Sequence, residues 1–114
     1  MAIQTATQKN TLASAYGTAA AYGALYTTAP GGTAGTEPSG GSPAYARKAL
    51  TWGAPTNGVI TVTATFDVPT GATIVGSGVH TAITAGAYLD GGAVTSQAFA
   101  SQGTYLCVFT YTQL

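Results

Sequence analysis

The chain has 114 residues, of which only six are charged: Lys9, Arg47 and Lys48 against Glu37, Asp67 and Asp90, for a formal net charge of zero. That is 5% of the chain, where an ordinary soluble domain carries about 25%, and the length suits a single domain. The dipeptide Arg47-Lys48 is too small a basic patch for nucleic acid, which typically takes about 6–10 phosphate contacts. The apolar runs fall short of the about 18 residues a membrane span needs, so neither nucleic acid nor membrane insertion is expected.

Residues 1–9 are small and polar without a sustained period, and read as an N-terminal arm that orders against a partner. They hold no basic segment followed by an apolar one, so no signal peptide is expected, and with Cys107 the single cysteine, production in a reducing cytoplasm fits. A single β domain then covers 10–114. It opens on a short helix of about two turns, capped by Asn10 or Thr11 and stopped by Gly17, with Leu12 and Tyr16 on one face.

Strand signals follow. Ala20–Thr28 places Tyr22, Ala24 and Tyr26 on one side. Pro30–Pro43 is too rich in Gly and Pro for a regular element, and at that length it is either disordered or a functional loop. Tyr45–Gly53 reads as a strand near an edge, and Asn57-Gly58 as a tight turn. In Val59–Val68, Ile60, Val62, Ala64, Phe66 and Val68 alternate with Thr61, Thr63, Thr65 and Asp67, the pattern of a half-buried antiparallel strand. Pro69-Thr70-Gly71 turns the chain into a strand over Ile74–Ile83. Asp90-Gly91-Gly92 is expected to turn again, before a short strand over Ala93–Phe99. In Thr104–Thr112, Tyr105, Cys107, Phe109 and Tyr111 oppose Leu106, Val108 and Thr110. Both sides are mostly apolar, so this strand is either central or has its outer face under a neighbouring subunit. The whole predicts an all-β antiparallel sandwich or jelly-roll-like Greek key with one short helix.

Chemistry-bearing residues are sparse. His80 is the single histidine and Cys107 the single cysteine, and Glu37, Asp67 and Asp90 are scattered without metal-ligand spacing. The run GSGVH lacks the closing glycine of a nucleophile elbow, and PGGTAG lacks the Gly-Lys-Ser/Thr ending of a phosphate loop. No catalytic residue, cofactor or metal is expected. Arg47 is expected to pair with Glu37 or a backbone carbonyl and pin the long loop. Trp52 and the tyrosines are better suited to contacts, since such rings bury large areas while keeping a polar handle. Candidate interface residues are therefore Tyr45, Arg47, Trp52, Glu37, Tyr105 and Tyr111. Near-zero net charge favours association, which points to a subunit among many copies.

The stretch LYTTAPGGTAGTEPSGGSPAYARKALTWGAPTNG, followed by VTATFDVPTGATI, resembles small tail-fibre-like and minor structural proteins of tailed bacteriophages. The positions carrying the resemblance are Leu25, Thr27, Pro30, Gly31, Gly35, Glu37, Gly40, Gly41, Tyr45, Arg47, Thr51, Trp52, Phe66, Pro69 and Gly71. It is good over about residues 11–75 and loose beyond, and it brings no catalytic residues. It implies a virion component whose partners are other copies of itself and the major capsid or tail proteins. The leading expectation is a capsid decoration protein that cements the shell. A minor tail or tail-fibre protein is the first alternative, and a carbohydrate-binding module meeting a host surface glycan the second.

Overall fold

The computed structural model describes residues 2–114. It is an antiparallel β structure with one helix, in the order α1 (Ala6–Ala19), β1 (Tyr22–Tyr26), β2 (Lys48–Ala49), β3 (Val59–Val68), β4 (Thr73–His80), β5 (Tyr88–Ala98) and β6 (Gly103–Thr112). Four strands form one sheet in the order β2-β1-β4-β5, and β3 and β6 form a second, two-stranded sheet. Apolar side chains from both meet in one core, with Leu25, Leu50, Phe66, Val68, Ile74, Val79, Phe99 and Phe109 at its centre. The all-β sandwich expected from the sequence is what forms, with four strands against two. The body is elongated, 48 × 24 × 23 Å.

Alternation dictates β3. Ile60, Ala64, Phe66 and Val68 are buried, while Thr61, Thr63 and Thr65 are exposed. Ten residue pairs join β3 to β6 without interruption, from Val59↔Thr112 to Val68↔Gly103. The Asn57-Gly58 turn forms as expected. Both residues have positive φ (49° and 82°), and Thr56 and Val59 exchange backbone hydrogen bonds of 3.0 Å across it. Gly71, with φ 85°, makes the turn between β3 and β4.

Four expectations need correction. The helix begins at Ala6, not near Asn10, because Thr5 is the cap: its hydroxyl accepts the Gln8 N–H at 3.2 Å. The expected arm over residues 1–9 is thus helical from Ala6 onward. Asn10 sits inside the helix, and its side-chain oxygen accepts the Gly58 N–H at 2.8 Å, fastening helix to turn. Gly17 does not stop the helix. It is a helical residue whose missing side chain lets Ile60 and Trp52 close in, for a Cβ there would lie 3.1–3.2 Å from them.

The third correction concerns β5. Asp90-Gly91-Gly92 is strand, and the turn lies earlier, over residues 81–87, where Ala85 (φ 54°) and Gly86 (φ 70°) reverse the chain. Glycine serves close approach at this point, since a Cβ on Gly91 would stand 2.8 Å from the Ser77 carbonyl oxygen. The fourth is Tyr45–Gly53, of which only Lys48–Ala49 pairs as a strand, at the sheet edge.

Candidate functional site

Two regions gather the residues of interest. The first is a polar clamp. The Arg47 guanidinium grips the Glu37 carboxylate with two nitrogens, Nε to Oε1 at 3.1 Å and Nη2 to Oε2 at 2.8 Å. Its remaining nitrogen, Nη1, donates to the carbonyls of Ala82 (3.0 Å) and Ala85 (2.9 Å). Planar guanidinium suits this forked recognition in a way lysine cannot match. Tyr45 completes the clamp. Its hydroxyl donates to Glu37 Oε1 at 2.8 Å and accepts the Leu25 N–H at 3.0 Å, while its ring stacks on Phe66 in the core.

One cluster thus ties the long loop, strand β1 and the 81–87 turn together. Arg47 pairs with Glu37 and with carbonyls, as the sequence suggested. Further ties hold the loop: Thr27 N–H to the Thr36 carbonyl (2.7 Å) and the Tyr88 hydroxyl to the Gly31 carbonyl (2.8 Å). Burial alone would raise the Glu37 carboxyl, but the hydrogen bonds from Arg47 and Tyr45 outweigh it and hold it below the usual carboxylate value.

Beside the clamp lies His80, 3% exposed. Its Nε2 shares a 2.5 Å hydrogen bond with the Tyr26 hydroxyl, and the Tyr88 ring packs at 5.6 Å. Burial lowers its pKa, the Arg47 charge lowers it further, and the Glu37 carboxylate opposes them. The imidazole is therefore neutral near pH 7, a structural hydrogen-bonding group. Cys107 is buried, with its thiol pushed up by that burial. Among the described residues no group of three or more His, Cys, Asp and Glu gathers as a metal site.

The second region is the open side of the molecule, where β5 and β6 end their sheets. Tyr16 of the helix stacks on Tyr111 (3.8 Å, 12°) and meets Trp52 edge-on (6.1 Å, 76°). The Trp52 indole N–H donates to the Ala20 carbonyl at 2.9 Å, and the Tyr16 hydroxyl donates to Asp90 Oδ2 at 3.3 Å. Tyr16, Trp52 and Asp90 line a shallow cleft of about 230 Å³, together with Gly91 of β5 and Val108 of β6. Tyr105 lies against Phe99. Tyr45, Arg47, Trp52, Glu37, Tyr105 and Tyr111 are each half-buried with a partner inside the fold.

The outward residues of β6 are its most exposed apolar ones. Leu106 is 64% and Val108 59% exposed, flanked by Thr104, Thr110 and Thr112. Of the two readings the sequence left for this strand, central placement is excluded, because β6 pairs with β3 alone. Its two apolar sides are the sequence signal that singles out Leu106 and Val108. The sequence places Tyr16 on a helix face, Tyr26 on a strand side and Asp90 at an expected turn, but not their partners, because the Tyr16–Asp90 and Tyr26–His80 bonds span 74 and 54 residues.

The chain is thus a small antiparallel β module, tied at its loops and bare along one side. The chain matches the family described as podophage GP4 fiber I protein gp80 over residues 3–114, and it belongs to that family. It is a tail-fibre-like structural protein of a tailed phage and a component of the virion. No curated protein and no solved structure matches it.

Proposed function

We propose that the protein is a non-enzymatic building block of a podophage tail fibre, held in the particle by contacts with neighbouring copies and with tail proteins. The family match over nearly the whole chain carries this reading and favours the fibre over capsid decoration. The elongated body and the scarcity of charge support it, for a shape 48 Å long with six charged residues can be stacked or tethered with little electrostatic repulsion. The clamp fits the same role: Glu37, Tyr45 and Arg47 stiffen the loops so that the module holds its shape under load. Cryo-electron microscopy of whole particles, with this chain fitted to the density, tests the assignment. Copies confined to the tail are expected. Copies spread over the capsid lattice would favour decoration and overturn it.

A further inference from the structure

We infer that the free edge of β6 is a self-pairing surface, on which a second copy of this chain adds its own β6 antiparallel to form a continuous four-stranded sheet β3-β6-β6-β3. The inference deepens the fibre reading by naming a partner for one surface. It rests on that reading only for the high copy number.

Hydrogen-bond alternation identifies the groups that face the edge. The Gln113 N–H donates to the Gly58 carbonyl at 2.8 Å, in line with the β3–β6 register. In an antiparallel ladder bonded and non-bonded pairs alternate, so Phe109, Cys107 and Tyr105 also face β3 with their N–H and C=O groups. Those of Thr104, Leu106, Val108, Thr110 and Thr112 then point away from it. The side chains of the same five residues are exposed. The edge and the outer apolar patch thus coincide in Leu106 and Val108.

Natural edges are blocked by charge, proline or bulges, and an unblocked one is a template for pairing. Gly103–Leu114 contains no charged residue and no proline, and the β3–β6 register has no bulge. At the other sheet edge, β5 is blocked. Its register against β4 shifts twice: Val94, Thr95 and Ser96 face the single residue Val75, and Leu89 is an extra residue between Tyr88 and Asp90.

The outward set is also complementary to itself. A two-fold axis through Val108 sets Val108 against Val108 of the second copy, Leu106 against Thr110, and Thr104 against Thr112. Such a register engages all five outward residues of each strand. Apolar residues meet at the centre and threonines at the ends, combinations that favour cross-strand pairing, and no like charges are opposed. The contact is narrow, about 34 Å long by one strand, below the about 800 Å² per partner of a standard interface. Association of the isolated protein is therefore weak, and crowding of copies in the fibre completes it.

Sedimentation of the full chain from about 10 μM to about 1 mM tests this, alongside three variants checked for fold by circular dichroism. Val108→Pro removes an edge-facing N–H and leaves the β3 ladder intact, a placement proline tolerates. Thr63→Lys charges the outer face on β3, away from the edge. The wild type and Thr63→Lys are expected to reach the dimer mass, and Val108→Pro to weaken dimerisation at least about tenfold. Should Val108→Pro fail to fold, Val108→Cys decides: in the predicted register its Cα atoms lie about 5.5 Å apart, within disulfide reach, and mild oxidation is expected to yield a covalent dimer. A wild type that stays monomeric, a dimer lost in Thr63→Lys but kept in Val108→Pro, or no disulfide-linked dimer of Val108→Cys overturns the inference. None of these results bears on where the protein sits in the particle.

Discussion

At the clamped end, Glu37, Tyr45, Arg47, Tyr26 and His80 all bond one another or local carbonyls, and the side chains of the Arg47–Glu37 pair are only 12% and 25% exposed. Along the β6 edge the opposite holds: five residues in a row of ten have exposed side chains and, by the register, backbone groups turned away from β3, and two of them are large and apolar. Side-chain hydrogen bonds gather where the chain is irregular and needs fixing. The most regular element is the one left open. That division suits a module whose interior must be rigid and whose regular edge must meet something else.

Breaking the clamp has the largest expected effect on stability. Arg47→Ala leaves the Glu37 carboxylate half-buried with Tyr45 alone and strips two carbonyls of the 81–87 turn of their donor. A loss of about 2–3 kcal/mol is expected, read as a drop in denaturant midpoint, with any association along β6 retained.

The buried histidine adds a pH dependence to the same end. His80 has a lowered pKa in the folded state, so the unfolded chain binds its proton more readily. The resulting stabilisation is fully present above the unfolded value near 6.5 and is lost as pH falls through and below it. Glu37 is a lowered acid, so its contribution is present above its unfolded value and disappears at more acid pH, after that of His80. Thermal melts from pH 8 to pH 3 should therefore show two successive losses. His80→Gln is expected to flatten the first, and Glu37→Gln the second. A wild-type melting temperature that is flat between pH 7 and pH 5 would contradict the neutral buried His80.

Edge substitutions carry the smallest expected stability effects. Val108→Lys and Thr95→Lys both lie on exposed edge positions and should each change stability by less than about 0.5 kcal/mol. Their effect on association should differ sharply. Lysine at 108 faces its own copy and abolishes pairing, whereas lysine at 95, in the bulged part of β5, leaves it unchanged. Equal effects in sedimentation would erase the contrast between the two edges.

Much of the fold was legible because side-chain period speaks directly to burial. Val59–Val68 is the strand its alternation predicts, residue for residue, and Asn57-Gly58 makes the turn its chemistry demands. Where small residues replace large ones, the signal fades. In Asp90-Gly91-Gly92 the glycines look like a turn, yet the segment is strand, and Gly91 lets β5 approach β4 and makes room for the Tyr88 ring. The helix start is hidden in the sequence because Thr5 is one polar residue among many in an Ala/Thr/Gln stretch, and only geometry shows which one caps.

The clamp could be foreseen in part, as Arg47 and Glu37 are two of only six charges and lie ten residues apart. Its carbonyl partners at Ala82 and Ala85 could not, because backbone oxygens leave no mark in a sequence. The β6 edge was half visible. Two apolar sides signalled that something covers the strand, and only the strand order shows that this chain does not supply it.

Amide hydrogen exchange on β6, followed by NMR at low and at high protein concentration, tests the central claim most directly. The amides of Leu106, Val108 and Thr110 are expected to exchange freely in dilute solution and become protected as concentration rises, while those of Cys107 and Phe109 are protected throughout by β3. Edge amides of β5 should stay unprotected at both. If the Leu106, Val108 and Thr110 amides exchange at the same rate at every concentration, β6 is not where copies of this protein meet.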